Sequence, residues 1–104
     1  MHKTKKKIPA TISEAVDYLI AALPLRDRAE IARMEERDLA ELHLSSLGLY
    51  IRSEFSLWSA NKKLMEECRS HVGKPELRGD GISYVIIKEL WEKLRKTHLL
   101  RIVK

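Results

Sequence analysis

What this chain has little of narrows it first. Its 104 residues hold four glycines, three prolines and one cysteine, and aromatics make up 6%. Scarce turn formers and few β-branched runs argue against a sheet and for helices. The lone Cys68 cannot close an intrachain disulfide, and an unpaired thiol suits a reducing compartment. No apolar run approaches the roughly 18 residues that a membrane span needs. The opening MHKTKKKIPA is basic, with no apolar segment behind it, so the expectation is a cytoplasmic protein without a secretory signal.

What is present fits an ordinary globular domain. The chain is 44% hydrophobic and 34% charged. At this length one domain is expected, burying roughly 60–68% of its unfolded surface without disulfides or a structural metal. The net charge of +5 is unevenly spread. Residues 1–10 carry four Lys and no acid, whereas 11–41 carry four Arg against eight acids. Residues 73–104 are basic again, with eight cations against four acids. A nucleic-acid reader concentrates positive charge on its reading element. The most regular helix here does not.

The organisation reads as a basic tail (1–8), a helical domain (9–98) and a C-terminal tail (99–104). Thr11-Ile-Ser-Glu14 is a capping box that starts a helix with Val16, Leu19, Ile20 and Leu23 on one stripe, stopped by Pro24. Residues 26–34 predict a short helix anchored by Ala29, Ile31 and Met34. The main helix is expected over 37–58, with Ala40, Leu44, Leu47, Gly48, Ile51, Phe55 and Trp58 on its buried face. Gly48 in mid-helix costs about 1 kcal/mol relative to Ala, which predicts close approach by another helix. A short helix over 62–71 is anchored by Leu64, Met65 and Cys68, with Asn61 or Ser59 as its cap. After the loop VGKPELRGDG, Asp80 is the expected N-cap of the last helix. That helix carries Ser83, Ile86, Ile87, Leu90, Trp91 and Leu94 at helical spacing. LLRIVK either extends it or packs as an extended segment.

The candidate functional residues lie beside the main helix's apolar face. His43, Tyr50 and Glu54 fall about 60–100° to one side of it, and Asn61 joins them if the helix runs on. An imidazole, a phenol and a carboxylate along one groove edge suit a polar ligand or acid–base work. The plainer interpretation is amphipathic groups bordering the core. Arg52, on the opposite flank, suits an acid or an anion. No nucleophile–base–orienter set is visible.

Other motifs carry less. Trp58 and Trp91 have the spacing of core residues rather than of base-stacking platforms. Cys68-x-x-His71 is half of a zinc pattern, and no second half exists. Arg78-Gly79-Asp80 is a three-residue chance match, and Gly73, Gly79 and Gly81 do not form a phosphate loop. The lysines of the N-terminal tail, with Lys93, Arg95, Lys96, Arg101 and Lys104, offer a basic rim to nucleic acid, though solubility and helix dipoles favour the same pattern.

Two blocks together resemble a known family. Leu42-His43-x-x-x-Leu47-Gly48-x-x-Ile51-Arg52-x-Glu54-Phe55-x-Leu57-Trp58, then Asn61-x-x-Leu64 and Cys68, is similar to a family of small bacterial domains of unknown function. Ser83-x-x-Ile86-Ile87-x-x-Leu90-Trp91-x-x-Leu94 is similar to the same family. The resemblance covers about residues 8 to 97 and implies an all-helical fold in bacteria, with no activity or cofactor. It implies that His43, Gly48, Arg52, Glu54 and Asn61 belong to a shared signature. Where that family commonly has Asn, this chain has Ser53.

The expected fold is therefore all-α, a compact single-domain bundle of four to five helices, with helices 37–58 and 82–97 as its central pair. The expected function is a non-catalytic protein-binding or adaptor module using the flank of helix 37–58, through His43, Tyr50, Arg52, Glu54 and Asn61. Two alternatives stand beside it. One is a nucleic-acid accessory protein using the basic termini; the other is a small ligand-binding domain or enzyme with a site near His43 and Glu54. The balance leans away from an enzyme. No cofactor, metal or membrane is implied, and the expected partner is another protein, with nucleic acid second.

Overall fold

A computed structural model describes residues 8–57 and 61–103, with side chains through Thr97. The expected N-terminal tail up to residue 7, Trp58 and Ser59 lie outside the described residues. Six α-helices and a one-turn 3-10 helix make up the described chain, and no strand is found among those residues. The helices are α1 (Ile12–Ala22), α2 (Leu25–Ala32), α3 (Leu39–Leu44), α4 (Ser46–Glu54), α5 (Lys62–Val72) and α6 (Gly79–Val103). The 3-10 turn, Glu36–Asp38, leads into α3.

The all-α expectation holds. The count of four to five is too low because the main helix 37–58 does not exist as one piece. It breaks at Ser45, whose backbone is extended at φ −82° and ψ −173°. The Ser45 hydroxyl accepts from the Leu47 amide at 3.3 Å and donates to the Leu42 carbonyl. Serine side chains compete in this way for backbone partners, and they favour the N-cap position over a helix interior. Ser45 thus closes α3 and caps α4.

The break resets the helical wheel. Ala40 is exposed and Leu44 is 82% exposed, against expectation, and Leu39 is fully buried instead. On the α4 side Gly48, Ile51 and Phe55 are buried as expected. The close approach expected at Gly48 is real, and the helix that approaches is the immediately preceding one, α3. A Cβ at this position would lie 1.9 Å from the carbonyl oxygen of His43, at the end of α3. Gly48 lets α4 fold back against the last turn of its own predecessor.

α4 ends earlier than the sequence suggests. Ser56 takes a left-handed conformation, φ 56°, while the Leu57 amide donates to the Arg52 carbonyl at 2.9 Å and the Ser56 amide to Ser53 at 3.3 Å. This paired closure leaves few carbonyls unpaired and turns Leu57 into the core, where it is fully buried. The same closure ends α5, with Gly73 in the left-handed position.

α6 is the hub. About 37 Å long at 1.5 Å per residue, it touches each of the other five helices. The expected central pair of 37–58 and 82–97 is therefore replaced by one helix with five packed around it. Ile82, Ile86, Ile87 and Leu90 of α6 are fully buried, meeting Leu19 of α1, Ile51 of α4 and Leu64 of α5 in one core. The predicted stripe from Ser83 to Leu94 is buried throughout. Asp80 lies inside the first turn of α6, accepting the Gly81 amide at 2.8 Å, rather than at the N-cap. LLRIV continues the helix rather than forming an extended segment.

Candidate functional site

The break at Ser45 redistributes the candidate residues. His43, Tyr50, Glu54 and Asn61 do not share one groove edge; they fall into three separate arrangements.

His43 turns toward α6. Its Nε2 lies 2.6 Å from Ser83 Oγ and 3.2 Å from Arg52 Nη1. Arg52, expected on the opposite flank, also donates to Ser83 Oγ at 3.1 Å. Ser83 has one hydroxyl hydrogen and two acceptors in reach, His43 Nε2 and the Asp80 carbonyl at 2.9 Å. One cluster thus ties α3, α4 and α6 together. Burial, and then the Arg52 charge, hold the His43 imidazole below its ordinary value, despite the opposing pull of Asp80. A neutral ring suits the geometry, because a protonated Nε2 would point a second positive donor at the guanidinium. Ser83 was read only as part of a core stripe. The signal was there: a serine on an otherwise apolar buried face needs a partner.

A serine bonded to a histidine is half of a nucleophile–base arrangement. Two features turn this pair away from that chemistry. Ser83 is 0% exposed, so its hydroxyl meets no substrate in this conformation. The third group on the imidazole is a cation, which weakens the ring as a base, whereas a carboxylate would strengthen it.

Glu54 faces α1, where its carboxylate accepts from the Tyr18 hydroxyl. Tyr18 packs edge-on to Phe55, with ring centroids 5.3 Å apart. The bond to Glu54, burial and the neighbouring Tyr50 push the Tyr18 phenol up to about 12. Tyr18 was missing from the candidates because its partner lies 36 residues away. Asn61 is a structural clasp. Its Nδ2 donates to the carbonyls of Pro9 at 2.8 Å and Phe55 at 2.9 Å, and its Oδ1 accepts the Leu64 amide at 3.3 Å. The cap role expected of Asn61 is therefore present, with two further bonds.

Two concavities lie beside these residues. The first, about 770 Å³, includes His43, Tyr84, Leu77, Asp80 and the His71–Glu89 pair, bonded at 2.8 Å. The second, about 580 Å³, runs between the end of α1, α2 and the α3–α4 elbow, with Tyr50 at its edge. Its apolar lining comes from Leu23, Ile31, Met34, Leu42 and Leu47. Leu44 and Leu49 add exposed apolar surface to the same elbow.

Cys68 is buried and His71 exposed, so the C-x-x-H pair does not converge. Among the described residues no group of three or more His, Cys, Asp or Glu is placed to hold a metal ion. No helix among the described residues is long and apolar enough to cross a membrane. On α6, Lys88 pairs with Glu36 at 2.9 Å and Lys93 with Asp17 at 2.8 Å, while Arg95 lies over the Trp91 ring. These cations are already engaged within the fold.

Residues 8–94 match the profile of a family described as a domain of unknown function (DUF6794). The chain belongs to this family. Comparisons with curated proteins and with solved structures find no match. The DUF6794 match ends at the last buried position recorded on α6, Leu94, and begins after the lysine-rich tail. The family unit thus coincides with the packed core, while the most basic stretches fall outside it.

Proposed function

We propose that this DUF6794 domain is a non-catalytic protein-binding module that works through the α3–α4 elbow, beside Tyr50. The observation that carries the proposal is the apolar groove there. His43, Arg52, Glu54 and Asn61 are occupied in joining α1, α3, α4, α5 and α6, so the polar flank serves as frame. What the elbow offers outward is hydrophobic: Tyr50 is 38% exposed, Leu49 54% and Leu44 82%. An apolar concavity on an element that also exposes large hydrophobic side chains is characteristic of interaction sites. At about 580 Å³ the groove also falls within the range of sites that hold a side-chain anchor or ligand.

Site-specific photocrosslinking tests it. A photoreactive phenylalanine at Tyr50 should give a discrete protein adduct in cells that make the protein. The same probe at Glu66, exposed on α5 and outside the groove, should give none. Identical adducts at both positions, or none at Tyr50, would overturn the proposal.

A further inference from the structure

Four of the eight acids of residues 11–41 line two adjoining hollows. Met34 and Leu42 line both the groove beside Tyr50 and a shallower depression of about 560 Å³ that adjoins it. Four acids surround this combined floor: Asp27 and Glu30 on α2, Asp38 just before α3, and Glu41 on α3. Among the described residues Arg33 is the one lysine or arginine lining either hollow. Among the described residues Glu30 and Glu41 make no ion pair. Asp38 accepts the Glu35 amide at 2.9 Å, and Asp27 only brushes Arg26 at 3.9 Å.

We infer that the groove takes a basic amphipathic helix of a partner protein. The inference rests on the binding-module reading and names the partner's chemistry. An apolar floor between two helical walls suits side chains recurring at i, i+3, i+4 and i+7 on a docked helix. The acids at its rim then meet the polar edge of that helix, where lysine or arginine is complementary and glutamate is repelled. The same rim repels phosphate, which disfavours nucleic acid and anionic lipid at this face. Met34 adds adaptability at the floor, since an unbranched thioether refits to different anchors. Its backbone is fixed from behind: Trp91 Nε1 donates to the Met34 carbonyl at 2.8 Å.

The test uses the full chain and three synthetic helices with one leucine face. Their remaining positions carry lysine, glutamine or glutamate. The lysine helix should shift the amide resonances of Glu30, Met34, Leu42 and Leu47. The double variant Glu30→Lys/Glu41→Lys should bind it about tenfold more weakly at low salt, and the gap should close at high salt. Both glutamates are exposed, so an unchanged far-UV spectrum establishes that the variant is folded. Equal or tighter binding of the glutamine or glutamate helix overturns the basic partner and leaves the module reading standing. So does a lysine helix that binds away from these amides. If no helix binds but the Tyr50 crosslink persists, the inference alone fails; if both are absent, both fail. Sedimentation of the chain alone covers another occupant: a dimer shielding these amides would place a second copy in the groove and overturn the inference.

Discussion

Gly48→Ala should destabilise this domain by about 2 kcal/mol, opposite in sign to what helix propensity alone dictates. In a helix interior, alanine is favoured over glycine by about 1 kcal/mol. Here the added methyl would lie 1.9 Å from the His43 carbonyl oxygen, 2.9 Å from its carbonyl carbon and 3.3 Å from Arg52 Nη1. The first two atoms are main chain, so no change of rotamer removes the clash. Overpacking at a closely fitted site costs about 1–3 kcal/mol. Moving the end of α3 also stretches the 2.6 Å contact between His43 and Ser83, and one such bond is worth about 1 kcal/mol net. A penalty of about 3 kcal/mol against a gain of about 1 leaves the predicted loss. For a domain of this size that lowers Tm by about 8–16 °C. Thermal unfolding followed by far-UV circular dichroism, with urea titration at 25 °C, measures it. A Tm equal to or above that of the parent would refute the reasoning. The double variant Gly48→Ala/His43→Ala adds a sharper check. Because the obstacle is a carbonyl, removing the imidazole should not rescue the alanine; full rescue would show the clash to be with the side chain.

The remaining expectations address single groups. His43 is held below its ordinary 6.5, by burial first and then by Arg52. The unfolded chain therefore binds this proton more readily, and stability should fall as pH drops through 6.5. Urea midpoints at neutral and mildly acidic pH should show that slope, and an equal slope in His43→Gln would remove His43 as its source. Tyr18, raised to about 12 chiefly by its bond to Glu54, favours folding below the ordinary tyrosine value, and this contribution is lost as pH rises from 10 toward 12. Spectrophotometric titration should find one tyrosine ionising after the others, with Glu54→Gln bringing it down; three coincident titrations would contradict the contact. Ser56→Gly removes a Cβ from the left-handed region at φ 56° and should stabilise by about 1 kcal/mol in urea titration; a destabilised variant would count against the turn. Burial pushes the Cys68 thiol up to about 12, so a thiol reagent at neutral pH should react no faster than the chain unfolds. Rapid labelling of the native protein would mean that α5 is not packed as described.

Helices with one uninterrupted apolar stripe were legible in the sequence. α6 shows its stripe from Ser83 to Leu94, and α5 shows Leu64, Met65 and Cys68; all are buried. The Thr11 cap was equally readable, and its hydroxyl accepts the Glu14 amide at 3.1 Å. The segment after Arg37 misled because helical periodicity carries through a break when the residues on either side are apolar. Leu42, Leu44 and Leu47 fit one wheel, while the Ser45 hydroxyl decides between helix interior and N-cap at an energy of about 1 kcal/mol. The serine pair at 45–46 was the available signal. Ser56 gave none, since serine rarely adopts the conformation that glycine takes at Gly73. The grouping of the candidate residues differs for the same reason as the helix: a wheel drawn through Ser45 sets Arg52 opposite His43, whereas the elbow brings Nη1 to within 3.2 Å of the ring.

On the proposed reading, the residues that make the 42–61 stretch distinctive differ in kind from those a partner would meet. His43, Gly48, Arg52 and Asn61 set the angle between α3 and α4 and hold it to α6 and to Pro9. Changing them alters the elbow itself, so any loss of binding should come with a loss of stability. Glu30 and Glu41 stand on exposed helix faces with little to do in folding, and surface charges of that kind typically move stability by less than about 0.5 kcal/mol. If the elbow is a binding surface, affinity and stability must separate along this line. Tm should follow the buried polar residues, while salt-dependent affinity should follow acids that the sequence presents as nothing more than a solvated face. Measuring both quantities on both sets of variants distinguishes a frame that supports a site from a frame that is the site. A variant such as Glu41→Lys that lowers affinity at unchanged Tm can arise only in the first case.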